Sequence, residues 1–220
     1  MAAKGGWVTD PQFWQRRIAA ALRGSTARHD RKDWVLPGLT AAASRAFDRY
    51  LPAQPVPAAV LVPIILREPA ATVLFTQRAA ALRHHAGQIS FPGGRLEAAD
   101  ASPIEAALRE AREEVGLEAG FVTVIGYLPD HVIGSGFRVT PVVAFVRPGF
   151  ALVPDPREVE EIFEVPLDFL FDPANFRPRL RQYVPELPPV QLNDIPFGER
   201  NIWGATAGML MNLYRLCSTE

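Results

Sequence analysis

Three carboxylates crowd one short stretch of this chain, Arg109-Glu110-Ala111-Arg112-Glu113-Glu114, a little downstream of the double glycine in Phe91-Pro92-Gly93-Gly94. On a helix, Glu110, Glu113 and Glu114 share an arc of roughly 100°, at the three- and four-residue spacings where like charges repel by a few tenths of a kcal/mol per pair. A solvated acidic face, with Arg109 paired to Glu113 one turn on, is the ordinary explanation for such a run. It leaves the glycines unexplained. A turn through Gly93 and Gly94 lets backbone carbonyls approach a ligand closely, because glycine has no β-carbon to exclude it. Carboxylates and carbonyls together form an oxygen-only donor set. With no Cys or His in the cluster, such a set suits a hard divalent cation, Mg²⁺ or Mn²⁺, better than zinc. Glu110, Glu113 and Glu114 are therefore candidate metal ligands, with a Gly93 or Gly94 carbonyl completing the set, and a bound cation would cancel their mutual repulsion.

Those side chains need a helix to hold them, and the flanking residues specify one. Ser102 is a natural N-cap, Pro103 falls at the first helical position, Glu105 completes a capping box, and Gly116 supplies a left-handed stop. The spacing predicts a helix over Pro103 to Val115. Ile104, Leu108, Ala111 and Val115 project within roughly 60° and form its expected buried stripe, leaving the charged residues to other faces.

Around that helix the chain reads as one soluble architecture. Its 220 residues are 48% hydrophobic, enough for a sizeable core, and a net charge of −1 offers no general basic field for nucleic acid. The apolar run from Val56 to Leu66 is too short to span a bilayer and contains Pro57 and Pro63, so no membrane role is expected. The single cysteine, Cys217, has no internal partner, reads as a small apolar filler and fits a reducing, cytoplasmic location. No apolar signal core follows the N-terminus. The arginine-bearing segment near residues 11 to 23 makes only a weak transit peptide, because Asp10 and Asp30 flank it. Helical patterns over Pro11 to Leu22 and Leu39 to Tyr50 precede a proline connector at Pro52, Pro55 and Pro57. This divides a helical extension, residues 1–55, packed on the main domain, from the domain itself, 56–220. Strands are expected at Ala58 to Leu66, Thr72 to Gln77, Phe121 to Leu128 and Val139 to Phe145. A short helix is expected at Pro166 to Phe171, and a closing core helix at Ala205 to Leu216. Strands on both sides of a charged helix, with further helices to cover them, imply an α+β fold, an α/β/α sandwich with a mixed sheet.

The same residues carry a family resemblance. Arg109-Glu110-Ala111-Arg112-Glu113-Glu114-Val115-Gly116-Leu117 resembles the second half of a Nudix box, whose usual pattern is glycine, five residues, glutamate, seven residues, then Arg-Glu-apolar-x-Glu-Glu-x-Gly-apolar. The first half departs from it: five residues beyond Gly94 stands Asp100 rather than glutamate, and eight residues separate it from Arg109. The coenzyme A diphosphatase branch of the Nudix hydrolases resembles this variant. Upstream, Leu74-Phe75-Thr76-Gln77-Arg78-Ala79, Leu82-Arg83, Gly87-Gln88-Ile89 and Phe91-Pro92-Gly93-Gly94 are similar to the signature of that branch, Phe75 standing where leucine is more usual. Weaker similarity continues through Val139 to Val143 and Ile202 to Thr206.

The resemblance implies a Nudix fold with a catalytic loop-helix-loop, and a Mg²⁺- or Mn²⁺-dependent hydrolase. Its substrate would be a small coenzyme A-like diphosphate, coenzyme A or acyl-coenzyme A, cut to 3′,5′-ADP and 4′-phosphopantetheine or its acyl form. Arg109 is then expected to orient a box carboxylate. The base that takes a proton from water would be Glu110, or Glu158 or Glu161 of the acidic segment Glu158-Val159-Glu160-Glu161, which reads equally as an exposed strand edge. Arg78 and Arg83 are expected to contact substrate by gripping the 3′-phosphate of coenzyme A, with Gln88 bonding substrate or bracing the loop. His84, His85 and His131 are expected to face solvent. Two other readings share this helix: a Nudix hydrolase of ADP-ribose, dinucleotides or nucleoside triphosphates, and a non-catalytic nucleotide-binding module, which the complete set of box carboxylates disfavours. A homodimer contact is one role open to the extension.

Overall fold

The computed structural model describes residues 11–28, 47, 50–82, 85–187 and 189–218. All of the helix expected over Leu39–Tyr50 except Phe47 and Tyr50 lies outside the described residues, as do Arg83 and His84. In chain order the elements are α1 (Pro11–Ala21), β1 (Val56–Ile65), β2 (Thr72–Arg78), β3 (Ile89–Ser90), β4 (Gly93–Arg95), α2 (Pro103–Val115), β5 (Val122–Tyr127), β6 (His131–Val132), β7 (Phe137–Val146), β8 (Val159–Pro166), α3 (Leu167–Leu170), β9 (Arg177–Arg181), β10 (Val190–Phe197), β11 (Arg200–Trp203) and α4 (Gly204–Ser218).

β1 and β7 are near-continuous apolar runs, the pattern of strands covered on both faces, and they pair in parallel from Val56 opposite Phe137 to Ile65 opposite Val146. β5 and β6 extend this side antiparallel to β7. The other edge of β1 is divided. Its end pairs with β2 through Ile64 and Val73, while its start pairs with β4 through Ala58–Arg95, Ala59–Gly94 and Val60–Gly93. β2 diverges from β1 beyond Val73 and pairs instead with β3 on one side and β8 along the other. The double glycine enters the gap so opened. The result is a mixed eight-stranded sheet, with Gly93 and Gly94 built into its middle rather than held on an outer loop.

Two layers cover the sheet. On one face α2 sets Ala106, Ala107, Ala111 and Val115 against Leu61, Ile65, Leu74 and Val142. On the other, α1 and α4 pack Trp14, Ile18, Leu22, Leu210 and Leu213 with Val73, Phe75, Val143 and Phe163. This is the α/β/α sandwich with a mixed sheet that the order of elements implied. β9, β10 and β11 form a separate three-stranded sheet. The hydroxyl of Thr206 donates to the Ile89 carbonyl at 3.1 Å, tying the first turn of α4 to β3. No helix among the described residues is long and apolar enough to cross a membrane.

Several elements were not expected. The segment around Glu158 to Glu161 leads into a full strand, β8, paired along its length with β2 and with no other strand among the described residues, so it is an edge of the sheet on which Glu158 and Glu160 are exposed, as one of its two readings had it. β9, β10 and β11 were missed, because Arg-Pro-Arg-Leu-Arg in β9 is exposed throughout and has no apolar alternation to betray a strand. His131 is a correction of a different kind. It was expected at the surface, yet it is fully buried on β6, its ring bonding the Pro129 carbonyl through Nδ1 at 3.0 Å and approached at Nε2 by Asn212 Nδ2 at 3.5 Å. The two neighbours together give it the partners a buried imidazole needs.

Candidate active site

α2 begins and ends where its caps dictate. The Ser102 hydroxyl accepts from the Glu105 N–H at 3.3 Å, Glu105 reaches back to the Ala101 N–H at 2.9 Å, and Gly116 takes the left-handed conformation at φ 70°. The buried face, however, is rotated from the one expected. Ala107, Ala111 and Glu114 lie four and three residues apart, so they share one face, and the two small alanines let the helix approach the sheet closely. Glu114 is carried inward with them and is only 3% exposed, while Ile104 and Leu108 are half-buried at the flank.

A buried carboxylate needs partners, and Glu114 has two. Its Oε2 accepts from the Gly93 N–H at 3.1 Å, and Arg78 Nη1 lies 3.7 Å from Oε1. Burial nevertheless dominates and pushes its pKa up to about 8. The Gly93 N–H and Arg78 pull it back, and the nearby charges of Glu110 and Glu158 add to the rise. Glu110 is shifted the same way, chiefly by burial, against the opposing pull of Arg109 and with help from Glu113 and Glu158. Glu158 thus belongs to the same electrostatic cluster as Glu110 and Glu114, although more than forty residues separate it from the box helix.

Arg109 organises the other side of the cluster. Nη1 donates to Glu110 Oε1 at 2.9 Å and to Glu113 Oε2 at 3.1 Å, and Nη2 donates to the Arg95 carbonyl at 3.0 Å. Asp100 takes the remaining fork through Nε to Oδ1 at 3.1 Å and Nη2 to Oδ2 at 3.0 Å. Glu113 stays at the half-exposed rim of the cluster.

The two glycines are required by contact. A β-carbon on Gly94 would stand 2.3 Å from Glu110 Oε1, and one on Gly93 would stand 2.4 Å from the Ala59 carbonyl oxygen. The Glu110 carboxylate therefore lies directly over the Gly94 backbone, a cradle that any side chain would fill.

Glu161 is separated from this group. It is paired with Arg200, whose guanidinium lies 4.6 Å over the Phe163 ring on the face covered by α1 and α4. A register shift between Gln77 and Arg78 in the pairing of β2 with β8 interrupts the regular alternation just where Glu158 and Glu161 diverge. Gln88 is bonded through Oε1 to His85 Nδ1 at 2.8 Å, and its carbonyl accepts from the Arg78 N–H at 2.9 Å, so both its side chain and its backbone brace the loop. His85 is exposed.

Among the described residues no three carboxylate, imidazole or thiol groups converge as a ready-made metal cage. The donor chemistry nonetheless fits a hard divalent cation. Glu110 and Glu114 are oxygen donors whose burial and mutual repulsion leave them short of positive charge, and the glycine cradle leaves backbone beside them.

The NUDIX domain model matches residues 55–187, well over half of the chain, and the chain belongs to the Nudix family of hydrolases, which act on pyrophosphate bonds. A Nudix hydrolase named NudL from Pectobacterium atrosepticum is 43% identical over 156 residues, covering 71% of this chain and 80% of that protein. A protein of the same name from Cronobacter sakazakii is 51% identical over 110 residues, 50% of this chain and 57% of its own length. Among solved structures, RenU, a Nudix hydrolase from Mycobacterium smegmatis, is 29% identical with a TM-score of 0.45, over 52% of this chain and 73% of that one.

Proposed function

We propose that this Nudix hydrolase cleaves the diphosphate bond of coenzyme A or acyl-coenzyme A, giving 3′,5′-ADP and 4′-phosphopantetheine or its acyl form. The observation that carries this reading is the variant box. Asp100, one residue further from Arg109 than the usual glutamate, holds Arg109 by a two-point pair, in the company of the full upstream signature from Leu74 to Gly94. The residues of the chain divide the work. Glu110 and Glu114, with Glu113 at the rim and the Gly94 carbonyl beside them, would hold the cation, Mg²⁺ or Mn²⁺. When bound, that cation would supply charge neutralisation on the diphosphate oxygens and a more acidic water. Arg109 keeps the Glu110 carboxylate over the glycine cradle. Glu158 takes the proton from the attacking water, since it lies in the cluster while Glu161 is engaged by Arg200. Arg78 would meet the diphosphate itself, a role supported by its position 3.7 Å from Glu114. Arg83 is left as the candidate grip on the 3′-phosphate.

A second reading, hydrolysis of ADP-ribose, a dinucleotide or a nucleoside triphosphate, is supported by Arg78, which lies 3.7 Å from Glu114 among the box carboxylates, where the phosphates of any of these substrates would meet it.

Steady-state cleavage of coenzyme A, 3′-dephospho-coenzyme A, an acyl-coenzyme A and ADP-ribose, each with Mg²⁺ and with Mn²⁺, decides between the two. Charge-assisted hydrogen bonds to the 3′-phosphate should favour coenzyme A over its dephospho form in kcat/KM by on the order of tenfold to a hundredfold, and Arg83→Ala should shrink that ratio. Equal rates on the two would remove the 3′-phosphate contact, and faster cleavage of ADP-ribose would establish the second reading.

A further inference from the structure

The segment that delivers Glu158 to the cluster is irregular in conformation yet unusually well bonded. Between Val153 and Val159 every backbone N–H has a partner, and the two prolines, Pro154 and Pro156, have none to satisfy. The Val153 N–H donates to the Val115 carbonyl at 3.0 Å and the Asp155 N–H to the Glu114 carbonyl at 2.9 Å, so the segment is laid on the last turn of α2. The remaining three donors all end on Asp155. The Arg157 N–H is taken by the Asp155 side chain at 2.9 Å, and the Glu158 and Val159 N–H groups by the Asp155 carbonyl at 3.0 and 2.8 Å. On the far side, the Glu158 carbonyl accepts from the Ala79 N–H at 2.8 Å, at the end of β2.

One residue therefore joins the backbone of Glu114 to the backbone of Glu158. We propose that Asp155 is a positioning residue for the hydrolysis. It fixes the Glu158 carboxylate relative to the C-terminal turn of the box helix, so that the base and the carboxylates of the helix keep one geometry. The proposal rests on Glu158 being the base in the reading above.

Two features of Asp155 are separable. Its carboxylate also receives the Arg157 guanidinium, but Arg157 is 86% exposed and an ion pair in such a position contributes little. The feature that only the side chain can supply is the acceptor for the Arg157 N–H, which closes the turn preceding Glu158. An amide oxygen can do the same, whereas a methyl group cannot. The adjacent prolines restrict φ on either side, so the turn has few alternative ways to present Glu158 once it is closed.

The test is a double-mutant cycle between Asp155→Ala and Glu158→Gln, with kcat and KM measured on coenzyme A and on ADP-ribose, and thermal unfolding followed for every variant. Asp155→Ala should lower kcat on the order of tenfold, as supporting partners of reactive groups commonly do. Its KM should change by less than about twofold, because the bonds of Asp155 run to the backbone and to Arg157 and its role is to hold Glu158 rather than to bind substrate. Asp155→Asn should restore kcat to within about twofold of the parent, and Arg157→Ala should leave it there, since the exposed pair carries little. In the Glu158→Gln background, Asp155→Ala should cost less than about twofold, the non-additivity of two groups acting as one.

A loss that simply multiplies with that of Glu158→Gln would overturn the positioning role while leaving Glu158 as the base. Parent-level turnover in Glu158→Gln alone would overturn the assignment of the base, and this proposal with it. Asp155→Gly removes the same acceptor and replaces the alanine variant in the cycle if that variant does not fold.

Discussion

Arg109 and Asp100 are joined by a two-point pair, Nε to Oδ1 at 3.1 Å and Nη2 to Oδ2 at 3.0 Å, which ties the loop that enters the box helix to the middle of that helix. The remaining guanidinium nitrogen is thereby turned toward Glu110 and Glu113. The Asp100 side chain is 5% exposed, and the arginine holds its carboxyl below the usual range through their hydrogen bonds. Asp100→Ala would leave a largely buried guanidinium without its principal partner. The expected cost is about 2 kcal/mol of stability, read from urea unfolding, together with a fall in kcat as Arg109 is released from its orientation. Unchanged stability and turnover would show that the pair is decorative.

Glu114→Gln should separate stability from activity. Turnover is expected to fall at least about a hundredfold, in the range seen on losing one strong electrostatic contributor to a transition state. Stability should move the other way. The folded pKa, about 8, lies above the value of 4.5 for a free carboxyl, so the parent loses stability as pH rises from the lower value toward the higher. The amide has no charge to desolvate. In chelator-treated protein at pH 7, the variant should therefore unfold later than the parent, by on the order of 2 kcal/mol, and the difference should vanish near pH 4.

Gly94→Ala tests the cradle. The added methyl would stand 2.3 Å from Glu110 Oε1, so the carboxylate has to move while the sheet beneath it keeps its pairing through Ala59. We expect kcat to drop on the order of tenfold to a hundredfold, the range for displaced catalytic groups, with the thermal midpoint nearly retained. Full activity in the folded variant would mean that the position of Glu110 over the glycine has no part in the reaction.

His131 sets a pH limit on the fold that is independent of catalysis. Burial lowers its pKa from 6.5 to about 4, so between those values the unfolded chain binds a proton that the folded chain does not. Stability is complete above the unfolded value and is lost as pH falls toward the folded one, a loss of about 2 kcal/mol by pH 5. Urea midpoints at pH 7.5 and pH 5 for the parent and for His131→Gln measure it. The variant should be less stable at the higher pH, where the imidazole's bonds are lost, and its deficit relative to the parent should shrink by about 2 kcal/mol between the two, a difference in which the opposite contribution of Glu114 cancels.

The elements legible in the chain alone are those that depend on near neighbours. α2 was predicted over Pro103–Val115 and is found there, because Ser102, Pro103, Glu105 and Gly116 satisfy its terminal backbone groups from within a few residues. β1, β2, β7 and α4 were equally readable, since each is a long apolar run or stripe. The acidic cluster was visible for the same reason: helical periodicity alone places Glu110, Glu113 and Glu114 on adjoining faces. Other relationships had no local signal. The burial of Glu114 depends on how closely two alanines let the helix approach β1 and β2, and so on the partner rather than on the helix. The sequence Glu158-Val159-Glu160-Glu161 offers two equivalent bases. Only the pairing of β8 with β2, with its shift in register, sends one to the box helix and the other to Arg200 on the opposite face. Asp155 reads as an ordinary turn residue until its N–H is seen to end on Glu114 and its carbonyl on Glu158. Capping and periodicity are written within a few residues, whereas burial and sheet register are settled by residues far away in the chain, which is why the helix was legible and the arrangement of charge around it was not.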